Sequence, residues 1–415
     1  MVSQRRFVVA CITMALLVTM VIYLTCTVAD GVVTFLLNKN VLTTKGISPD
    51  FEHQIVHPVD VTHHPILRNS KTIPDPLQPR LVFLKTHKTA SSTVTSVLQR
   101  YGYINGLSFL MPKCGHTLDT YHHFDGFKVK GLSSKSAKTN NMQFNFLTNH
   151  ARYSRTDMDR VFGGARYVTI LRDPVEQFES MFYYFEMFRY LPPGKNSLGA
   201  FFEDPEQKFE LMRSKKKQYT EKRMHNQQLF DLGVELDDMD DPSIINETID
   251  RLHGELDLVM ITEYFDESVV LLSKMMNWSL ADVRYITRGQ RKRSFREPLT
   301  DVTRDQISAW NSADLKLYEH FNRTFWEKVK QYGPNFEEDL NEFRRLQRDL
   351  SQTCRDMGND DVTDRRVVRA RIKVGAPEWC SLFFTDDVHF TSLIRQRMKN
   401  KGMPLYDSCD QTNKN

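Results

Sequence analysis

The chain has little excess of either charge. Its 56 Lys and Arg against 52 Asp and Glu leave a formal +4, too weak for an extended nucleic-acid-binding surface, so any anion site has to be local. Glycine and proline are sparse, 18 and 16 of 415 residues, which excludes collagen-like and low-complexity classes. A mean hydropathy of −0.47 excludes a multispan membrane protein. The six cysteines contain no Cys-x-x-Cys pair, so neither a zinc ribbon nor a thioredoxin-type site is expected. No internal repeat is present. What remains, 40% apolar and 26% charged residues, is the composition of an ordinary folded protein.

One segment departs from that average. Phe7 to Ala29 carries no charge and would reach roughly 35 Å as a helix, enough to cross a hydrocarbon core of about 30 Å. Arg5 and Arg6 precede it and Asp30 follows, an asymmetry that keeps the short N-terminus in the cytosol and sends the rest across. Thr27-Val28-Ala29 would pass as a signal cleavage site. However, signal cores run about 7–15 residues and this one is longer, which favours a retained signal anchor. The sequons Asn246-Glu247-Thr248, Asn277-Trp278-Ser279 and Asn322-Arg323-Thr324 agree with a secretory location. Beyond the apolar segment, Cys114, Cys354, Cys380 and Cys409 permit two disulfides in any of three pairings.

Composition divides the chain into a cytosolic tail (1–6), the anchor (7–29), a Pro-punctuated stem (30–78), an α/β domain (79–345) and a charged, loop-rich C-terminal extension (346–415). Leu81 to Leu84 reads as a buried strand, followed by a polar turn. Val94, Val97, Leu98 and Tyr101 then mark a helix with one buried face. The pattern recurs. Tyr167 to Leu171 is a strand, Asp173 an N-cap with Pro174 at the first helical position, and Glu176 completes a capping box. The helix that follows extends to about Tyr190, with Phe178, Met181, Phe182 and Phe185 as its core stripe. Leu256 to Ile261 and Glu263 to Met276 make a third strand and helix, and Phe336 to Leu350 a further amphipathic helix. Such alternation predicts a central parallel sheet flanked by helices, with ligands at the strand C-terminal ends.

The first turn holds Lys85-Thr86-His87-Lys88-Thr89-Ala90-Ser91-Ser92-Thr93. Two ammonium groups, several hydroxyls and a helix N-terminus converge there into an anion cradle suited to phosphate. The phosphate loop of nucleotide hydrolases needs glycines, and none lies between Lys85 and Val94. After the second strand, Arg172 and Ser180 can face a second anion. Cys114, His116, His122 and His123 are irregularly spaced and compete with disulfide use, so no metal is expected. Glu263, Asp266 and Glu267 suit the first turn of a helix. Arg288, Arg291, Lys292, Arg293 and Arg296 form a basic loop.

At this point the chain resembles the Golgi sulfotransferases that use 3′-phosphoadenosine 5′-phosphosulfate, and more narrowly the galactose-3-O-sulfotransferases. The matching stretches are Val82 to Thr93, Leu171-Arg172-Asp173-Pro174, Glu263 to Ser268, Ala309-Trp310-Asn311 and Leu317 to Asn322. The resemblance implies a P-loop-like sulfotransferase fold, a single-pass Golgi membrane protein with a lumenal catalytic domain, and a galactose-terminated glycolipid or glycan as acceptor. It implies that Lys88, Thr89, Ala90, Ser91, Ser92 and Thr93 grip the 5′-phosphosulfate, with Lys88 neutralising the bridging oxygen. Arg172 and Ser180 would hold the 3′-phosphate, while Lys85 and His87 face the site or its entrance. In-line transfer then needs one general base. His150, after the strand-like run Phe144 to Thr148, is the first choice, because related uronyl sulfotransferases carry a catalytic His at the end of a comparable strand; His87 is the second. A sulfotransferase for uronic-acid polymers, a phosphotransferase and a non-catalytic glycan-binding protein are the rival readings. Self-association is neither required nor excluded.

Overall fold

A computed structural model of the chain describes residues 80–129, 144–192, 197–215, 224–287, 290–291, 298–356, 367–368 and 370–409, all within the unit Val56–Asn415. The expected anchor, the stem and most of the basic loop lie outside these residues. Among the described residues no helix is long and apolar enough to cross a membrane.

In chain order the elements are β1 (Leu81–Leu84), α1 (Ser91–Ile104), β2 (Thr117–His123), β3 (Phe146–Leu147), β4 (His150–Arg152), α2 (Arg155–Phe162), β5 (Arg166–Leu171) and α3 (Pro174–Tyr184). After these come α4 (Leu198–Phe202), α5 (Pro205–Lys215), α6 (Gln227–Asp231), α7 (Pro242–Glu255), β6 (Leu258–Ile261), α8 (Phe265–Met276) and β7 (Gln290–Arg291). The chain continues through α9 (Asp301–Trp310), α10 (Ser312–Tyr332), α11 (Phe336–Cys354), β8 (Val367–Val368), α12 (Ser381–Phe384) and α13 (Asp387–Asn400).

Four strands pair in the order β3-β1-β5-β6, all parallel, with Leu81 opposite Phe146 and Arg166, and Val168 opposite Leu258. The predicted α/β class is what the chain adopts. A parallel sheet needs helices on its faces, and β1 and β6 are buried along their whole length. Parallel pairing also brings the turns after Leu84, Leu171 and Ile261 to one edge. The core joins Phe83, Val94, Phe146, Tyr167, Ile170, Val259 and Leu272 with Phe390, Ile394, Met398 and Tyr406. Each such side chain withdrawn from water contributes roughly 1.5–3 kcal/mol. Phe178 and Phe182 pack in a second cluster with Phe201, Phe202, Met212 and Ile307.

Several element boundaries differ from the sequence expectation. The third strand begins at Leu258 because Leu256 is the C-cap of α7 and Asp257 turns its carboxylate to the Tyr167 amide (2.8 Å) and Arg166 (2.7 Å). The helix expected to reach Tyr190 stops at Tyr184; Glu186 is left-handed and a 3₁₀ turn covers Met187–Tyr190. Glu263 lies in the 3₁₀ turn Thr262–Tyr264, ahead of α8. His150 does not extend the Phe144 to Thr148 run. It opens β4, which pairs with β2, because the Asn149 side chain donates to the His116 carbonyl (3.0 Å) and to Thr391 (2.8 Å) and draws the chain off the main sheet.

The C-terminal segment is the largest departure, since the loop-rich stretch contains α13. This helix lies along α1 and stoppers its end. The Arg397 guanidinium donates to the carbonyls of Tyr103 (2.6 Å), Gly102 (3.2 Å) and Leu107 (3.2 Å), where a cation suits the helix C-terminal dipole. The disulfides are Cys114–Cys409 and Cys354–Cys380, one of the three pairings open to sequence.

Alanine is the better helix former by about 1 kcal/mol. A Cβ at Gly102, however, would sit 2.3 Å from Phe109 Cζ and 2.5 Å from its Cε2. Overpacking of this kind costs about 1–3 kcal/mol. Gly102→Ala is therefore expected to lower the urea midpoint at unchanged m-value; an unchanged or raised midpoint would show that Phe109 moves aside freely.

Candidate active site

The site is built on the turn between β1 and α1. Lys88 (φ 61°) and Ala90 (φ 60°) are both left-handed, a conformation that costs a non-glycine residue of order 1–2 kcal/mol. The scaffold holds the turn through its carbonyls. The Thr86 carbonyl accepts from the Ser91 hydroxyl, the His87 carbonyl from Gln177 Nε2 (3.0 Å), the Lys88 carbonyl from Arg172 Nη1 (3.3 Å), and the Thr89 carbonyl from the Thr262 hydroxyl (2.8 Å). Inside the turn, the Thr86 hydroxyl donates to the Ile170 carbonyl and lies 2.7 Å from the Thr89 hydroxyl. Thr86, Thr89 and Ser91 thus spend their hydroxyls on shape. Ala90 is the N-cap of α1 and has no side-chain group to cap it, so donors for an anion come from the first-turn backbone.

Three cations surround the turn. Lys88 is half-buried and its Nζ lies 3.5 Å from the centroid of the exposed Tyr184 ring. Arg172, at the end of β5, turns toward the Lys88 carbonyl and toward Glu176 (3.6 Å). Glu176 therefore does not close the expected capping box: the Asp173 side chain caps α3 as predicted, but its own amide donates to Glu263 (3.2 Å). Lys85 is buried and its Nζ meets Asp387 Oδ2 at 2.5 Å, an oxygen that also accepts from the Ser92 hydroxyl (3.1 Å). Burial pushes the Asp387 carboxyl up, but Lys85 and Ser92 overcome it and hold the group at about 2. Ser180 is half-buried on α3, and Thr93 is buried in the first turn of α1.

The two histidines come together. Their rings stack with centroids 4.2 Å apart and 18° between planes. His87 Nδ1 lies 2.9 Å from both carboxylate oxygens of Asp231, and the His87 amide donates to the same group at 2.7 Å. His150 Nδ1 lies 2.9 Å from the Lys85 carbonyl. A carbonyl only accepts, so that bond places the proton on Nδ1 and makes Nε2 the basic nitrogen of the neutral ring. The carboxylate behind His87 selects the same tautomer.

Asp231 is itself positioned. It ends the short helix α6, whose first amides, those of Gln228 and Leu229, donate to the fully buried Asp314 (2.9 Å each). Burial pushes the Asp314 carboxyl up to about 7 against these amides, with Asp231 adding to the rise. Asn226 donates its amide to Asn311 (2.9 Å) and accepts from the Asp314 amide (3.0 Å). The Gln228 side chain pairs with both the amide and the carbonyl of Arg172 (2.9 Å each), locking α6 to the end of β5. Among the described residues no group of three or more His, Cys, Asp or Glu is arranged to hold a metal. Cys114 is in a disulfide, and His123 Nε2 lies 2.9 Å from the Gly233 carbonyl.

Comparison with known proteins decides the lineage. A family model described as galactose-3-O-sulfotransferase matches residues 5–373. The chain belongs to the galactose-3-O-sulfotransferase family. Bovine galactosylceramide sulfotransferase is 34% identical over 289 residues, 68% of this chain and 66% of that protein. Mouse galactose-3-O-sulfotransferase 2 is 32% identical over 290 residues, covering 68% and 72%, and human galactose-3-O-sulfotransferase 3 is 33% identical over 301 residues, covering 70% and 66%. The chain thus spans about two thirds of the length of these family members. Members named for galactosylceramide and members named for galactose alone stand at nearly the same distance.

Sequence reasoning missed Asp231, Asp387 and Gln177. Asp387 had a readable signal: Asp386 in N-cap position before Phe390, Ile394 and Met398 at a spacing of four. Asp231 and Gln177 had none, since each matters through a contact distant in the chain.

Asp387 also predicts an acid response. Its folded value of about 2 lies below the ordinary aspartate value near 3.9, so its stabilisation is full above about pH 4 and is lost as pH falls toward 2. The stability gap between the unsubstituted chain and Asp387→Asn is expected to close over that interval in denaturant titrations; a pH-independent gap would contradict the assignment.

Proposed function

We propose that this protein transfers the sulfonate of 3′-phosphoadenosine 5′-phosphosulfate to the 3-hydroxyl of a terminal β-galactose on a glycolipid or glycan. The observation that carries the reading is the juxtaposition of a cation-rimmed, uncapped helix N-terminus with two stacked histidines of fixed tautomer. The acceptor class rests on the family. In this reading the chain is a single-pass Golgi membrane protein with a P-loop-like sulfotransferase domain in the lumen, anchored through residues 7–29.

The donor's 5′-phosphosulfate lies against Lys88 to Thr93, and its 3′-phosphate is held by Arg172 and Ser180. The galactose O3 attacks sulfur as its proton passes to a histidine Nε2. The bond from sulfur to the bridging oxygen breaks, and the charge released on that oxygen is met by Lys88, Lys85 and the first amides of α1. The resemblance to uronyl sulfotransferases makes His150 the first choice as base. The carboxylate of Asp231 behind His87 favours His87, because an anion on Nδ1–H stabilises the imidazolium formed when Nε2 takes the proton. His150 then orders the second face of the pair.

Full-length chain extracted in detergent, given radiolabelled donor and a panel of galactosylceramide, lactosylceramide, N-acetyllactosamine and a desulfated uronic-acid polymer, is expected to label the galactosides and to lose the label when the 3-hydroxyl is blocked. Label confined to the uronic-acid polymer would replace the acceptor, and no transfer despite donor binding would leave a glycan-binding protein.

Lys88→Ala and Arg172→Ala are each expected to lower kcat/KM by about 10²-fold or more, the scale of losing a transition-state charge contact. Removing a general base costs about 10²–10⁴-fold. His87→Ala should fall in that range, with His150→Ala smaller and Asp231→Asn reproducing much of the His87 loss. The reverse order of the two histidines would return the base to His150.

A further inference from the structure

We infer that Asp387, delivered by the C-terminal helix α13, is a positioning residue for the transfer reaction: it sets Lys85 and Ser92, and through Lys85 the His150 side of the histidine pair. The inference rests on the donor site proposed above. Asp387 lies beyond the residues that the family model matches.

Lys85 directly follows β1 and is buried. Its ammonium is met by Asp387 at 2.5 Å, and the same oxygen takes the Ser92 hydroxyl at 3.1 Å. One carboxylate oxygen therefore fixes a cation on one side of the turn and a first-turn hydroxyl of α1 on the other. The main chain of Lys85 carries the acceptor for His150 Nδ1 (2.9 Å), so placement of Lys85 also bears on a histidine of the stacked pair. A buried, charge-assisted contact of this kind is directional, and displacement near 1 Å at a reacting centre is enough to cost rate.

The carboxylate is not on a mobile arm. The Asp387 carbonyl accepts from Thr391, whose hydroxyl oxygen also accepts from Gln99 of α1 (3.1 Å) and from Asn149, next to His150 (2.8 Å). Two turns on, Arg397 holds the end of α1, and Lys401 donates to the Gly106 carbonyl (3.1 Å). Beyond the helix, Cys409 is bonded to Cys114 and Ser408 pairs with the Cys114 main chain. From Asp387 to Cys409 the chain is fastened at each of these points and presents one carboxylate at the donor turn.

The test compares the full-length chain with Asp387→Asn and Asp387→Glu by calorimetric titration with adenosine 3′,5′-bisphosphate and by transfer kinetics. Asparagine keeps acceptor geometry but removes the charge that offsets Lys85. It should bind the bisphosphate at least about threefold more tightly while kcat falls about tenfold or more. Asp387→Glu, which keeps the charge, should restore the affinity and part of kcat. A kcat for Asp387→Asn within twofold of the unsubstituted chain overturns the inference, as does a joint fall of kcat, affinity and melting temperature, the signature of a purely structural role. If Asp387→Asn does not accumulate folded, Lys85→Gln with and without Asp387→Asn replaces it, because the double variant buries no unpaired charge and the single one leaves only a carboxylate that still holds the Ser92 hydroxyl. Equal kcat in the two supports action through Lys85, and a further tenfold fall contradicts it. An unsubstituted chain that binds the bisphosphate and sulfonates no galactoside overturns the acceptor chemistry, and the affinity comparison then still decides the Asp387–Lys85 link.

Discussion

Four consecutive main-chain carbonyls, Thr86 through Thr89, take donors from four different parts of the chain: Ser91 in α1, Gln177 in α3, Arg172 at the end of β5 and Thr262 at the end of β6. At about 0.5–1.5 kcal/mol net apiece, these bonds are of the size needed to hold two left-handed residues that are not glycine. This is how a turn without glycine makes a tight strand-to-helix reversal. The conformation a phosphate loop obtains from glycine's freedom is imposed here from outside. Every other feature of the site depends on it, because Lys85, His87 and Lys88 project from the same few residues.

A second line of support runs beneath the histidines. Asp314 caps α6, α6 ends at Asp231, and Asp231 fixes His87. Burying a carboxylate under another carboxylate is unfavourable unless backbone amides repay it. The two amides at the start of α6 offset only part of that cost, and the Asp314 carboxyl stays raised to about 7. Of the stretches that carry the family resemblance, Trp310-Asn311 belongs to this support, while Tyr318 serves the start of α3. Asn311 accepts the Asn226 amide, and the Tyr318 hydroxyl donates to Glu263, which receives the Asp173 amide.

Local signals were legible and distant ones were not. Leu81 to Leu84 and the strand ending at Leu171 could be read because short apolar runs stood between polar turns, and the Asp173-Pro174 start of α3 because capping chemistry is local. The end of α3 was overread since its aromatic stripe continues past Tyr184 into a 3₁₀ turn. The strand expected ahead of His150 is present as β3, but that His150 opens a further strand is not legible, because Asn149, whose side chain diverts the backbone, looks like any polar residue. Within the turn, sequence could count hydroxyls and ammonium groups but could not divide them into those that shape the turn and those available to a ligand. Lys85 and Asp387 stand 302 residues apart, and no periodicity spans that distance.

That distance has a consequence for how the protein is made. A chain emerges from its N-terminus, and contacts between distant residues wait for the later partner. The turn after β1 is among the first described parts to be synthesised, and its carboxylate partner is among the last. Cys409, which closes onto Cys114 across 295 residues, comes later still. The site therefore cannot be completed before α13 has been synthesised. A chain halted before α13 would keep its sheet residues and lack the carboxylate that meets Lys85 and Ser92.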